Sequence, residues 1–165
     1  MLELAALLSH SDNADARQTA ARLFETARDA GGLWHQATGT RLEGHAASRA
    51  GDLYAASGIF ADALDLNGVG DFGELLWYTV LNVVEHLYRA HLHADATVAL
   101  GAFSTAPGAA RDELVSRAVR RLNDRLRATL SDNLYIERYE YGAGLATGEL
   151  LIHLDGVLRA HAAGP

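Results

Sequence analysis

The sequence predicts an all-α fold of stacked antiparallel helical hairpins, about three to four of them, in a single domain over residues 1–165. Three observations predict it. Apolar residues recur at spacings of three and four, which places them on one face of a 3.6-residue helix. Long stretches consist of Ala, Leu, Arg and Glu, all strong helix formers. Proline occurs only at Pro107 and Pro165, so the breaks come from short polar and glycine clusters.

The elements follow in order. Leu4, Leu7 and Leu8 predict a helix near 2–10, closed by Ser11-Asp12-Asn13. Ala20, Leu23, Phe24 and Ala27 predict one over 14–30, closed by Gly31-Gly32. Helices over 33–49 and 52–66 follow, the second ending at Asn67-Gly68-Val69-Gly70. Leu81, Val84, Leu87 and Tyr88 carry a helix over 71–91, and another over 94–104 ends at Thr105-Ala106-Pro107-Gly108. Leu114, Val115, Ala118 and Leu122 mark a helix over 109–130, stopped by Ser131-Asp132-Asn133. A last helix is expected over 145–162. These breaks supply helix caps or residues that tolerate positive φ.

Residues 134–141 are ambiguous. Tyr135, Glu137, Tyr139 and Tyr141 alternate like a strand. A lone strand in a helical chain has nothing to pair with, so an extension of the preceding helix or an irregular linker is expected.

Composition removes several function classes. There is no cysteine, which excludes disulfides, thiolate metal sites and a Cys nucleophile. No apolar run approaches the ~18 residues of a membrane span. The opening Met1–Leu8 is short, carries Glu3 and lacks a basic leader, so it reads as a first helix of a cytoplasmic protein. A net charge of −7 argues against nucleic acid as a partner. All basic residues are arginine, and with the alanine content this matches the codon usage of a GC-rich bacterial genome.

An internal repeat organises the rest. Gly44 is a small residue inside one helix, and Gly51-Asp52-Leu53-Tyr54 forms a turn. Ala56, Phe60 and Ala63 then follow at spacings of four and three. Residues 37–70 resemble one tetratricopeptide repeat in all these features. Weaker matches cover 1–34, through Ala20, Phe24 and Ala27, and 77–110, through Ala96, Leu100 and Phe103. The offsets from Ala56 are 36 residues back and 40 forward, against about 34 in the family. The extra residues fall in the Asn67–Gly73 loop. The third repeat carries His91 where the turn glycine would sit and Phe103 where alanine would sit.

The resemblance implies a protein-binding scaffold, not an enzyme. In tetratricopeptide arrays the first helices of successive hairpins line a concave groove, and one subset clamps C-terminal carboxylates. On that pattern Arg41, His45 and Arg49 face the groove from the central repeat. Tyr78, Asn82, Glu85 and Arg89 face it from the next, and Arg117 and Arg121 supply a basic pair from the helix after. Guanidinium groups grip carboxylates through two parallel bonds, so an acidic or C-terminal carboxylate segment of another protein is the expected ligand. Tyr135–Tyr141 offer a second possible interface.

Two other classes stay open. One is a metal- or cofactor-binding bundle using Glu85, His86, Glu149 and His153, with Glu149 and His153 on one helix face. The chain contains no Glu-x-x-His and no His-Glu-x-x-His. The other is a homo-oligomeric regulatory domain. Gly-x-Ser-x-Gly and Gly-x-x-x-x-Gly-Lys are absent, and without lysine no side chain can form a Schiff base. No cofactor is expected.

Overall fold

The computed structural model describes Arg22, Thr26 and residues 32–70, 73–106 and 113–164. These residues form seven helices and no strand. They are α1 (Leu33–Ala50), α2 (Leu53–Gly70), α3 (Gly73–Arg89), α4 (His93–Thr105), α5 (Glu113–Thr129), α6 (Asp132–Gly144) and α7 (Thr147–Ala162). The helices expected near 2–10 and 14–30 lie outside the described residues, apart from Arg22 and Thr26, which are helical. No helix among the described residues is long and apolar enough to cross a membrane.

The chain divides into two compact units. One holds Met1–Phe72 with Leu158–Pro165, and the other holds Gly73–Val157.

The first unit is built on the α1–α2 hairpin. Gly51 ends α1 in the left-handed region at φ 91°. Its N–H donates to Ser48 O and that of Asp52 to Ala47 O, which satisfies two carbonyls of the last turn. Gly44 lets the helices approach. A Cβ there would lie 3.1 Å from the ring of Phe60, which is fully buried. The last turn of α7 packs on α2, with Leu158 buried and Ala162 in van der Waals reach of Gly58.

Asn67 does not break α2 as expected. It is buried, and its Nδ2 donates to Ala63 O at 2.7 Å, so α2 continues to Gly70. Residues 67–70, assigned to a longer loop, therefore lengthen this helix. An amide that satisfies itself on the preceding turn stays helical.

The second unit begins with the α3–α4 hairpin, which repeats the first turn forty residues on. His91 takes the left-handed conformation at φ 60°. Its N–H donates to Tyr88 O and that of Leu92 to Leu87 O, and Ala96 N–H bonds Leu92 O as Ala56 N–H bonds Asp52 O. Ala56, Phe60 and Ala63 of one hairpin and Ala96, Leu100 and Phe103 of the other are all buried. Trp77 meets Phe103 edge-on, with ring centroids 6.2 Å apart.

Residues 132–144 are neither an extension of α5 nor a linker. They form α6, separated from α5 by Leu130 and Ser131. Helical winding puts Tyr135 and Tyr139 on one face, where their rings stack at 5.7 Å. α6 packs mainly along α4, backbone against backbone. A Cβ on Gly101 would overlap Tyr139 O, and one on Gly142 would overlap Val98 O. α5 presents Val115, Leu122 and Leu126 to the core, while Leu150 and Leu154 of α7 are fully buried.

Candidate functional site

The site expected on three helices is divided between the two units. Arg41, His45 and Arg49 lie on α1 of the first unit. Arg41 and Arg49 are half-buried, but His45 is 3% exposed and belongs to the interior of that unit, not to an open groove face. The other six residues lie on α3 and α5 of the second unit.

On α3, Tyr78, Asn82, Glu85 and Arg89 are spaced by four, three and four, which makes one continuous stripe. All four are half-buried, unlike their neighbours Thr79, Val80, Val83, Val84, His86 and Leu87, which form the core side. Glu85 and Arg89 pair along the helix at 3.4 Å. On α5, Arg117 and Arg121 share an exposed face, with Leu114 one turn before them, 76% exposed. Arg117 pairs with Glu113, an exposed contact one turn apart. Arg121 has no ion-pair partner among the described residues.

The two stripes meet through a contact the sequence did not announce. The Arg125 guanidinium of α5 lies over the Tyr88 ring of α3, 5.8 Å from its centroid. Tyr88 is half-buried and Arg125 exposed, so the contact marks where the α3 stripe passes into the basic face of α5. A guanidinium over a tyrosine ring keeps its in-plane N–H donors free for a carboxylate. The sequence spacing of Tyr88 with Leu81, Val84 and Leu87 marked a helix but not this contact.

No protein-family model matches the chain, and no curated protein or solved structure matches it.

A further arginine fixes the base of α5. Arg127 lies over the Tyr135 ring, 4.4 Å from its centroid, and the Tyr135 hydroxyl donates to Asn123 Oδ1. Burial pushes the Tyr135 phenol above its ordinary value of 10.0, against the opposing bond and charge of Arg127. α5 is thus held to α3 and to α6 by arginine–tyrosine contacts, with its remaining arginines turned to solvent.

The Glu and His residues of the alternative reading have other partners. Glu149 accepts from Ala146 N at 2.9 Å and caps α7. His153 Nε2 lies 3.1 Å from Asp95 Oδ1. His86 is 1% exposed. Among the described residues no group of three His, Asp or Glu side chains is placed to hold a metal ion.

The first unit contains a separate cleft of about 570 Å³ between α1 and α2, lined by Thr40, Glu43, Ile59, Asp62, Asp65 and Leu66. Arg159 reaches its rim from α7, with Nη2 2.6 Å from Asp65 Oδ2 and Nη1 3.6 Å from Asp62 Oδ1. Sequence spacing places Ile59, Asp62 and Leu66 on one helix face, but the arginine lies 94 residues from Asp65 and had no local signal.

Proposed function

We propose that the chain is a non-catalytic interaction module that takes an acidic peptide or partner helix across the α3 and α5 faces of its second unit. The observation that carries this is the Arg125–Tyr88 contact, which joins the Tyr78–Arg89 stripe to the exposed arginines of α5. α5 carries Arg117, Arg120, Arg121, Arg125 and Arg127 against Glu113 and Asp124, on a chain whose net charge is −7. A basic helix on an acidic protein selects acidic partners by complementarity and repels basic ones.

The mechanism is presentation by an already ordered surface. Arg121 and Arg117 grip partner carboxylates, Asn82 and Tyr78 supply neutral hydrogen bonds, and Leu114 meets an apolar side chain. Because the helices are ordered before binding, the scaffold loses little entropy. The matching hairpin turns at Gly51 and His91 support a tetratricopeptide-like array, whose first helices would carry such a surface. A cytoplasmic location goes with this reading.

The test is fluorescence anisotropy of a labelled peptide of alternating glutamate and leucine. Arg117→Glu with Arg121→Glu is expected to weaken binding at least about tenfold, and binding of the parent protein to fall as salt rises. Equal binding by parent and variant would place the interface elsewhere and sink the proposal.

A further inference from the structure

We propose that the acidic partner of the second unit also lies across the α3–α4 turn, on His91 and His93, and that its affinity rises as these imidazoles take up protons. The inference rests on reading the α3 and α5 faces as the binding surface, and it adds the far end of that surface and its regulation.

A continuous row of side chains leads there. Arg117, Arg121 and Arg125 follow one another at spacings of four along the exposed face of α5. Arg125 lies over the Tyr88 ring, 5.8 Å from its centroid. The centroids of the Tyr88 and His93 rings are 5.1 Å apart, and His93 meets His91 edge-on at 5.6 Å. Tyr88 and His93 are half-buried and His91 is exposed, so the row ends at the surface of the turn. All of these residues belong to the second unit. A segment that passes from α5 over Tyr88 therefore reaches both imidazoles.

The backbone supplies a second, independent observation. Gly51 makes the left-handed turn of the first hairpin without a side chain, whereas His91 makes it at φ 60° with a Cβ that crowds the following carbonyl. Residues held in such strained conformations cluster at binding sites and switches. Here the strained residue is one of the two imidazoles that end the row.

The chemistry of the row makes it responsive to pH. The arginines of α5 stay charged throughout the neutral range. Imidazole changes its charge between about pH 8 and about pH 5, so the pair adds up to two positive charges as pH falls. The groups that face the pair are Tyr88 of α3 and, one ring further, Arg125 of α5. On α4, Asp95 is turned to His153 of α7, 3.1 Å away. A partner carboxylate beside either imidazole favours the protonated ring, so binding takes up protons and tightens towards acid.

The experiment is fluorescence anisotropy of the labelled glutamate–leucine peptide with the full chain, at fixed salt, at about pH 8 and about pH 6, where glutamate stays ionised. The parent protein is expected to bind at least about threefold more tightly at the lower pH. His91→Gly with His93→Gln should remove that gain. Glycine keeps the turn, as Gly51 does in the first hairpin, and circular dichroism checks that the helices are retained. The other histidines remain in this variant, so its difference from the parent reads the pair alone. Calorimetry in two buffers of different ionisation enthalpy should show proton uptake when the parent binds peptide, and less when the variant does. A parent protein with equal affinity at both pH values, or a variant that keeps the full gain and the full proton uptake, overturns the inference. In either case, weaker binding by Arg117→Glu with Arg121→Glu leaves the proposed function standing. A peptide bound at neither pH sinks both.

Discussion

His91 stands forty residues after Gly51 and holds the same left-handed turn, at φ 60° against 91°. Both residues donate their N–H to the carbonyl three residues back, and each follows the first helix of a hairpin. A side chain in this conformation crowds the following carbonyl, which glycine avoids.

His91→Gly should therefore stabilise the protein, by about 1 kcal/mol, although glycine loosens the unfolded chain. Gly51→Ala should destabilise it by about 1–2 kcal/mol. Urea unfolding of both variants checks the pair. A destabilised His91→Gly would mean that the imidazole makes a contribution larger than its backbone strain.

The α4–α6 crossing gives a prediction whose sign is diagnostic. Alanine is a better helix former than glycine by about 1 kcal/mol. Gly156 has open space around its Cβ position, so Gly156→Ala should stabilise by about that amount. Gly142→Ala puts a methyl group into the Val98 carbonyl and should cost about 3 kcal/mol or more, with the helices forced apart. Thermal melts of the two variants should move in opposite directions.

The last turn of α7 is held to α2 by apolar burial, not by its ion pairs. Leu158 is fully buried, and Leu158→Ala should cost about 2–5 kcal/mol. Arg159, Asp62 and Asp65 are each about half or more exposed, and Arg159→Ala should cost less than about 1 kcal/mol. Equal losses in denaturant unfolding would show that the ion pairs matter more than their exposure implies.

Alkaline pH should weaken the second unit through Tyr135. Burial, the largest cause, raises its phenol above 10.0 in the folded chain. The folded state therefore binds this proton more tightly than the unfolded state does. That stabilisation is fully present below pH 10.0 and is lost as pH rises through the higher folded value. Tyr135→Phe should flatten stability above pH 10 and should cost about 1 kcal/mol at neutral pH, because Asn123 loses its donor. Phenolate absorbance during an alkaline titration checks the first expectation.

The helices were legible wherever periodicity and breaks agreed. Leu81, Val84 and Leu87 marked α3, and Gly51-Asp52 marked the first turn to the residue. His91 was legible as a replaced turn glycine because the repeat spacing pointed to it. Asn67 misled because a turn-forming amide can also bond its own helix, and only the buried surroundings decide which. The tyrosines of α6 misled because alternation and helical spacing overlap in a segment where every second residue is aromatic or charged.

Of the candidate site, the α3 and α5 stripes could be drawn from spacing alone. Which faces are open could not: His45 has the spacing of Arg41 and Arg49 yet lies inside its unit. The Tyr88–Arg125 contact joins residues on two helices, and the Arg159 pairs join residues nearly a hundred positions apart.

The sequence by itself determined the helical character of the described residues, their hairpin turns and the basic character of α5, because these depend on neighbours within a turn or two. The tertiary structure alone decided that α6 packs on α4 through two glycines, that Arg125 joins α5 to α3, and that the end of α7 closes on α2. Each of those depends on which helix surfaces meet, and meeting is governed by shape and burial across distances in sequence that no local pattern encodes.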